Sequence, residues 1–229
     1  MLTIRTSTIA TRMTDHPIRR EDPIDGREHW NSIYTRTAQN ETSWFQAEPT
    51  RSLELLAGLG IAPNSTIIDV GGGDSALVDA LVARRVAHVS VLDISGVALA
   101  RARTRLGAHA SEVVWIEADV RTAVLPECAY DAWHDRAVFH FLTSRSDRQR
   151  YVETASRSVR PGGAMILATF ASDGPRSCSG LPVVRYEADT LAEELGESFE
   201  LVSDLTEDHS TPRGDSQRFL YAVFRRAAR

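Results

Sequence analysis

Hydrophobic and polar positions follow two different periods along most of this chain. Short apolar runs bounded by turn residues predict strands, and apolar residues spaced three to four apart predict helices between them. The predicted strands are 66–70, 88–93, 113–117, 130–134, 164–170, 199–205 and 217–225, and the predicted helices are 75–85, 95–107, 146–159 and 187–195. Such alternation is typical of βαβ units, so we expect a largely parallel sheet with helices on both faces.

The two ends of this alternating region differ from its middle. Before the first strand, "SLELLAGLG" predicts a helix that ends at Gly58 or Gly60. Between the last two strands there is no helical pattern, only the polar stretch "TEDHSTPRGDS". We therefore predict that these two strands form an antiparallel hairpin at the edge of the sheet.

The segment "TIIDVGGGDSALVDAL", residues 66–81, has the pattern of a strand, a tight turn and a helix. The turn contains Gly71, Gly72 and Gly73, whose lack of side chains lets a ligand approach the backbone closely. In open α/β sheets, ligands bind beyond the carboxyl ends of the strands. The segment therefore predicts a nucleotide or nucleoside site, and its glycine spacing loosely satisfies a dinucleotide fingerprint.

Acidic residues lie at the ends of three successive predicted strands, at Asp69, Asp93 and Asp119. Asp93 follows the glycines at the distance at which an acid accepts hydrogen bonds from ribose hydroxyls. Asp119 could accept one from an exocyclic amino group. Three acids suit a neutral or cationic nucleoside better than a pyrophosphate, which favours such a ligand over a nicotinamide dinucleotide. Singly, Asp93 or Asp119 could equally cap a helix.

The motifs "IIDVGGGDS", "VLDIS", "ADV" and "RPGGAMILATF" resemble those of class I S-adenosylmethionine-dependent methyltransferases, over roughly residues 60 to 225. The resemblance implies an α/β, Rossmann-like seven-stranded sheet of order 3-2-1-4-5-7-6, with strand 7 antiparallel and helices on both faces. It also implies S-adenosyl-L-methionine as cofactor and S-adenosyl-L-homocysteine as product. The chain departs from the family pattern at Ser75, which stands where the last glycine of the loop is usual.

The resemblance assigns cofactor contacts to three parts of the chain. The acid and glycine loop would hold the methionine and ribose portions, the second acid and its neighbour the ribose hydroxyls, and the third pair the adenine. These residues are, in the same order, Asp69 with Gly71, Gly72 and Gly73, then Asp93 with Ile94, then Asp119 with Val120.

Three polar residues, His134, Asp135 and Arg136, stand at the end of the fourth predicted strand. This strand end should face the reacting methyl group, so we predict that they are catalytic. His134 or Asp135 could act as a general base or anchor the substrate, since histidine titrates near neutral pH. The alternative is a contact network between Asp135 and Arg136 that orders the loop.

Two loops at the same end of the sheet supply candidate acceptor contacts. The first, "ASDGPRSCSGLPVVRYEADTL", is long enough to be a lid or a binding element. In it, Cys178 could meet a reactive acceptor or simply pack, and Arg185 and Tyr186 could anchor an anionic acceptor or fix the loop. In the second, between the last two strands, His209 could line the substrate site or lie in a solvated turn.

The N-terminal region is polar but contains Trp30, Tyr34 and Trp44. These amphipathic aromatics predict that residues 27–48 form a lid over the cofactor, with packing against the sheet edge as the alternative. We predict that residues 1–26 are a disordered or extended lead-in, with Met13 as an alternative start. The domain itself would then comprise residues 27–229.

The composition of the chain excludes several classes of function. A 229-residue chain with 42% hydrophobic residues can bury one full core, and its net charge of -5 disfavours binding to nucleic acid. All 26 basic residues are arginine, which excludes a lysine catalyst. The two cysteines are too few for a disulfide framework or a metal cluster, so we expect no metal and a cytoplasmic location. No apolar run approaches the ~20 residues that cross a membrane.

These observations together predict a cytoplasmic S-adenosylmethionine-dependent methyltransferase that acts on a small molecule. A protein side chain as acceptor is the first alternative. A non-catalytic S-adenosylmethionine-binding module and a nicotinamide-dependent oxidoreductase are the others.

Overall fold

A computed structural model describes residues 26–228, so the predicted lead-in up to residue 25 lies outside the described residues. The strands are β1 (Thr66–Val70), β2 (His88–Asp93), β3 (Val113–Glu117), β4 (Tyr130–Arg136), β5 (Val159–Phe170), β6 (Ser177–Cys178), β7 (Leu181–Pro182), β8 (Phe199–Ser210) and β9 (Ser216–Arg226). The α-helices are α1 (Gly26–Arg36), α2 (Thr50–Gly58), α3 (Leu77–Ala83), α4 (Gly96–Leu106), α5 (Arg145–Ser158) and α6 (Ala188–Leu195).

Seven of these strands form one sheet, in the order β3-β2-β1-β4-β5-β9-β8. Strands β1 to β5 are parallel, and β9 runs antiparallel to both of its neighbours, β5 and β8. The predicted strand order is thereby confirmed. The order reverses between β1 and β4, and the crevice at such a reversal is where ligands of open α/β sheets bind.

Consecutive side chains of a strand point to opposite faces of the sheet, and β4 shows how this builds two cores. Trp133 is fully buried on the face covered by α5, where its Nε1 donates a 2.8 Å hydrogen bond to the hydroxyl of Tyr151. Its neighbour Ala132 belongs to the core on the other face, with Ile67 and Leu77. Each face of the sheet is thus covered by helices, as the alternating sequence pattern predicts.

Four features differ from the elements predicted from the sequence. Strand β8 extends to Ser210, five residues beyond its predicted end, so His209 lies in the strand and not in the loop that follows it. Helix α1 occupies the start of the segment that we expected only as an aromatic lid, and the side chain of Asn31 holds it against α4 by accepting a 2.8 Å hydrogen bond from Ser95 Oγ. The loop after β5 contains the short β6–β7 hairpin. Strand β5 begins at Val159, five residues before the predicted start at 164, and its pairing with β4 shifts register between Tyr130 and Ala132. None of the helices between residues 26 and 228 is long and apolar enough to cross a bilayer.

Candidate functional site

A cavity of about 320 Å³ opens at the carboxyl ends of β1, β2 and β4, where the strand order reverses. Eight residues predicted to contact the cofactor line it: Trp30, Tyr34, Trp44, Gly71, Asp93, Ile94, Asp119 and Val120. A second cavity of about 50 Å³ adjoins it, and Asp69 and Gly72 line that one. The side chains predicted from separate stretches of sequence therefore meet at one edge of the sheet.

The glycine turn shapes the floor of the larger cavity. Gly71 has a positive φ of 66°, and a Cβ atom there would overlap the Cγ2 atom of Val138. Gly73 also has a positive φ, of 40°, and a Cβ atom on it would lie 2.7 Å from Oδ2 of Asp93. Both positions need glycine for backbone conformation and for space. A side chain at Gly71 would displace Val138 from the cavity wall, and one at Gly73 would crowd the Asp93 carboxylate.

Asp93 is a buried carboxylate that borders this cavity, with 6% of its surface exposed. Burial raises its pKa to about 7, although backbone N–H groups, including that of Ser95 at 2.7 Å from Oδ1, partly oppose the shift. A carboxylate held in this way can accept hydrogen bonds from hydroxyl groups of a ligand. Asp93 is therefore well suited to bind a diol such as that of ribose.

Asp119 lies on the rim of the cavity and already has a partner. Its carboxylate accepts hydrogen bonds from Arg121 at 2.9 Å from Nε and 2.5 Å from Nη2, and Arg121 also pairs with Asp147 at 3.1 Å. Burial acts to raise the pKa of Asp119, but the hydrogen bonds from Arg121 outweigh it and the pKa is lowered. Asp119 is thus held as a carboxylate, and a ligand amino group would have to share it with Arg121.

His134 lies beside the glycine turn but belongs to the smaller cavity. Its Nδ1 donates to Oδ1 of Asp69 at 2.7 Å, and its Nε2 lies 2.9 Å from Oγ of Ser52. All three residues are buried, with at most 3% of their surface exposed. Oδ2 of Asp69 has no hydrogen-bond partner among the described residues. The chain of contacts fixes the Asp69 carboxylate under Gly72 and leaves one of its oxygens free to accept a bond.

Asp135 is fully buried and lines neither cavity. It accepts hydrogen bonds from the Tyr151 hydroxyl at 2.6 Å and from the backbone N–H groups of Val138 at 2.9 Å and Phe139 at 3.1 Å. Burial raises its pKa to about 6, partly opposed by these hydrogen bonds. Its contacts hold the turn that follows β4, which corresponds more closely to the loop-ordering alternative than to a base facing a substrate.

Arg136 ends β4 and lines both cavities. Its Nε donates to the hydroxyl of Tyr221 at 3.1 Å, its Nη1 donates to the backbone carbonyl of Trp44 at 2.9 Å, and its guanidinium stacks over the ring of Phe219 at 4.5 Å. Of the three residues predicted to be catalytic, it alone borders the larger cavity. No contact joins it to Asp135, so the network predicted between these two residues is absent from the described contacts.

Aromatic rings form one wall of the larger cavity. The ring of Trp30 lies 5.8 Å from that of Trp44 and 5.1 Å from that of Phe141, in edge-to-face arrangements. Tyr34 packs against both tryptophans, and burial, followed by the charge of Asp93, raises its pKa. The aromatic segment thus covers the cavity before any ligand is added, and its ordering by ligand stays a prediction.

The predicted acceptor residues are divided between the cavity and its surroundings. Cys178 lines the larger cavity, and burial raises the pKa of its thiol. Arg185 and Tyr186 line neither cavity; Arg185 donates to the backbone carbonyl of Gly174 at 3.2 Å. His209 lines neither cavity, and its Nε2 donates to the carbonyl of Ser43 at 2.9 Å.

Sequence reasoning missed the apolar residues of the acceptor side. These are Val138, Phe141, Leu142, Leu181 and Pro182, all in the wall of the larger cavity. The run "AVFHFL" directly after β4 was the available signal, because an apolar turn at the carboxyl end of a strand borders the ligand crevice. Within residues 26–228, no cluster of His, Cys, Asp or Glu side chains is arranged to hold a metal ion.

Comparison with known proteins agrees with this geometry. A family model described as a methyltransferase domain matches residues 67–163. A protein of Mycobacterium tuberculosis named an uncharacterized methyltransferase is 33% identical over 111 residues, which cover 48% of this chain and 53% of that protein. The chain thus spans about half the length of the curated relatives that it matches.

Solved structures share the fold over most of the chain. The 1,6-didemethyltoxoflavin-N1-methyltransferase of Burkholderia thailandensis, solved with that compound and S-adenosylhomocysteine, has a TM-score of 0.63 at 19% identity and covers 88% of this chain and 84% of its own. The N-methyltransferase NodS of Bradyrhizobium japonicum, bound to S-adenosylhomocysteine, has a TM-score of 0.64 at 17% identity. The match covers 86% of this chain and 97% of NodS. A structure concerned with converting a disulfide bond into a thioacetal group in echinomycin biosynthesis has a TM-score of 0.71 at 20% identity. The match covers 88% of this chain and 92% of that protein. At these identities the likeness establishes the fold.

Proposed function

We propose that this chain is a class I S-adenosylmethionine-dependent methyltransferase and that it transfers a methyl group from S-adenosyl-L-methionine to a small-molecule acceptor. The observation that carries the proposal is the buried carboxylate of Asp93 at the wall of a 320 Å³ cavity, reached across the glycine turn. Pockets of a few hundred cubic ångströms are of the size that binds cofactors and small ligands. S-adenosyl-L-homocysteine is the product that would leave this site.

The described residues fit this cofactor. Gly71 and Gly73 allow Val138 and the Asp93 carboxylate to keep their places in the cavity wall. Asp93 can accept hydrogen bonds from the ribose hydroxyls, and the free Oδ2 of Asp69 can accept one from the methionine ammonium group. Ile94 and Val120 line the cavity beside Asp119, on the side proposed for the adenine. When bound, S-adenosylmethionine supplies an electrophilic methyl group on a sulfonium.

The chain's own contribution is alignment and exclusion of water. Trp30, Trp44 and Phe141 close one side of the cavity with apolar surface. We assign His134 and Asp135 to positioning rather than to proton transfer, because their polar atoms are used in internal hydrogen bonds. A base is needed only for an acceptor that carries a proton at neutral pH.

Two features support a small molecule as the acceptor. The cavity is walled by aromatic and apolar side chains on its acceptor side, as is usual for small-molecule sites. One of the fold neighbours, the B. thailandensis N1-methyltransferase, was solved with 1,6-didemethyltoxoflavin bound. A protein acceptor is the alternative.

We further propose that residues 27–229 act as one domain in the cytoplasm, with 27–48 covering the site.

Ligand binding tests the cofactor assignment. S-adenosylhomocysteine should raise the melting temperature of the protein, whereas NAD should not. Asp93→Ala should weaken the binding of S-adenosylhomocysteine by roughly 1–3 kcal/mol through lost hydrogen bonds, as measured by calorimetry. Asp119→Ala is the matched control and should cost less, because Arg121 already occupies that carboxylate. A larger shift with NAD, or normal binding by Asp93→Ala, would contradict the assignment.

A labelling experiment tests the acceptor class. The protein is incubated with cofactor labelled in its methyl group and with a cell extract, and the extract is then separated into protein, nucleic acid and small molecules. We expect the label in the small-molecule fraction. Label in protein would replace the proposal by the side-chain alternative.

A further inference from the structure

Arg136 is a cation without a counter-ion at the wall of the larger cavity. Within residues 26–228, no Asp or Glu oxygen lies within 4.0 Å of its guanidinium. Two of its nitrogens donate to uncharged groups, the hydroxyl of Tyr221 and the carbonyl of Trp44. The third, Nη2, is shielded from solvent and has no hydrogen-bond partner in the described part of the chain.

The titratable side chains near Arg136 do not supply a negative charge. Burial, followed by the positive charge of Arg136, lowers the pKa of His140 to about 3 and also lowers that of His209. Burial raises the pKa of the Cys178 thiol. At neutral pH both histidines and the thiol are therefore uncharged. Asp69 and Asp74, which line the smaller cavity with Arg136, are bonded to His134 and Arg105 instead.

A partly buried guanidinium in this state is an incomplete ion-pair site. Arginine remains protonated at all physiological pH values, and a charge removed from water costs free energy unless it is paired. Its planar fork of N–H donors matches the two oxygens of a carboxylate. An anionic group brought into the cavity would provide the acceptor that Nη2 lacks.

The carboxylates and the unpaired guanidinium lie in different parts of the cavity wall, and Arg121 pairs with Asp119 and Asp147 away from Arg136. Asp93 and Asp119 lie at the end proposed for the nucleoside, whereas Arg136 lies with Cys178, Phe141 and Pro182 in the wall of the same cavity. We propose that Arg136 binds a carboxylate of the methyl acceptor, so that the acceptor is a small, flat, largely apolar molecule with one carboxylate group. This inference rests on the proposed function. The competing source of the same chemistry is the carboxylate of the cofactor, because Arg136 also borders the smaller cavity.

Benzoate and its neutral isostere benzamide test the inference. Each is titrated into protein saturated with S-adenosylhomocysteine, and binding is followed by calorimetry or by ligand-detected NMR. We expect benzoate to bind the wild-type protein about tenfold more tightly than benzamide, since the amide cannot form the ion pair. Equal binding of the two compounds by wild-type protein would overturn the inference without any variant.

Three variants assign the preference to one side chain. Arg136→Met should bring the two affinities to within about twofold of each other, and Arg136→Lys, which keeps the charge, should retain part of the preference. Arg185→Met is the matched control, because Arg185 lines neither cavity. It should behave like wild type; loss of the preference in Arg185→Met alone would overturn the inference.

The affinity for S-adenosylhomocysteine separates the two sources of carboxylate. We expect Arg136→Met to bind S-adenosylhomocysteine within about threefold of wild type. A loss of more than about tenfold, with the benzoate preference unchanged, would assign Arg136 to the cofactor and overturn the inference. Failure of the wild-type protein to bind S-adenosylhomocysteine would instead refute the proposed function, and the benzoate preference can be measured independently in its absence.

Discussion

The two ends of the cavity are built in different ways. At the nucleoside end, Asp93 and Asp119 are each held by the residues that follow them, since Asp93 accepts from the backbone of Ser95 and Asp119 from that of Arg121, both two residues later. At the acceptor end, Arg136 is held by Tyr221 of β9 and by Trp44 of the N-terminal segment, both distant in sequence. The first end is a local structure placed by the sheet, whereas the second exists only once the whole domain has folded.

A glycine substitution should give the largest effect and should act on the nucleoside end. Gly71→Ala places a side chain at a φ of 66° and against Val138, and we expect a loss of roughly 2–4 kcal/mol in the free energy of unfolding together with loss of S-adenosylhomocysteine binding. Denaturant unfolding measures the free energy of unfolding, and calorimetry measures the binding of S-adenosylhomocysteine. Gly58→Ala, at the end of α2 with open space around it, is the control and should be close to neutral. If both variants behave alike, the turn does not require glycine.

Asp135→Asn should give the next largest effect. It tests whether the Asp135 carboxylate stabilises the turn after β4 or acts as a catalytic base. We expect a loss of about 1–3 kcal/mol in stability, because asparagine keeps one acceptor oxygen but replaces the other with an NH2 group, which cannot accept the bonds that Tyr151 and Phe139 donate to Oδ2. Tyr151→Phe, which removes only the hydroxyl, should reproduce part of this loss. A catalytic base would behave differently: Asp135→Asn would then lower turnover by about 10²–10⁴-fold with little change in stability, and Tyr151→Phe would leave turnover intact.

The stability of the ligand-free protein should depend on pH through the nucleoside end. Burial raises the pKa of Asp93 to about 7, whereas an aspartate in an unfolded chain titrates near ~3.9. Between these values the folded state holds a proton on Asp93 that the unfolded state has lost, so the contribution of Asp93 to the free energy of unfolding should fall as pH rises from about 4 to about 7. His140, whose pKa burial lowers to about 3, contributes in the opposite direction, so the effect of Asp93 is measured as a difference from a variant that lacks it. Asp135, with a pKa raised to about 6, acts in the same direction over the lower part of this range. The free energy of unfolding of the wild type minus that of Asp93→Asn should therefore decrease between about pH 4 and 7 in denaturant titrations; a difference that does not change with pH would contradict the assignment.

The smallest expected effect concerns the aromatic segment that joins the two ends. Amide hydrogen exchange in residues 27–48 should slow when S-adenosylhomocysteine is added. The change should be modest, because Tyr34 is already buried and Asn31 already accepts a hydrogen bond from Ser95. Equal protection with and without ligand would show that the segment is a fixed wall rather than a lid.

The sheet and the nucleoside end could be predicted because their signals are local. An apolar run followed by three glycines and a helix specifies where β1 ends, and Asp93 and Asp119 follow the next two strands at similar positions. The strand order came from the resemblance and is confirmed. Helix α1 was missed because its apolar residues are few among polar ones, and its packing depends on the contact of Asn31 with α4.

The acceptor end could not be predicted to the same degree, for a reason visible in β4. Residues at the end of a strand alternate between the faces of the sheet, so His134 turns towards Ser52 and Asp135 towards Tyr151. The sequence places all three polar residues at the strand end but does not specify which one borders the cavity. The position of Arg136 there is decided by β9 and the N-terminal segment, which only the tertiary structure brings together.

The aromatic wall also makes the protein its own optical probe. Of its four tryptophans, Trp30 and Trp44 line the larger cavity, whereas Trp133 is buried against Tyr151 and Trp115 lies under Arg103. Indole emission responds to the polarity and the quenching groups around the ring, so occupancy of the cavity changes the surroundings of two emitters and leaves the other two as a constant background. Stopped-flow fluorescence can therefore follow the arrival of each ligand without any attached dye.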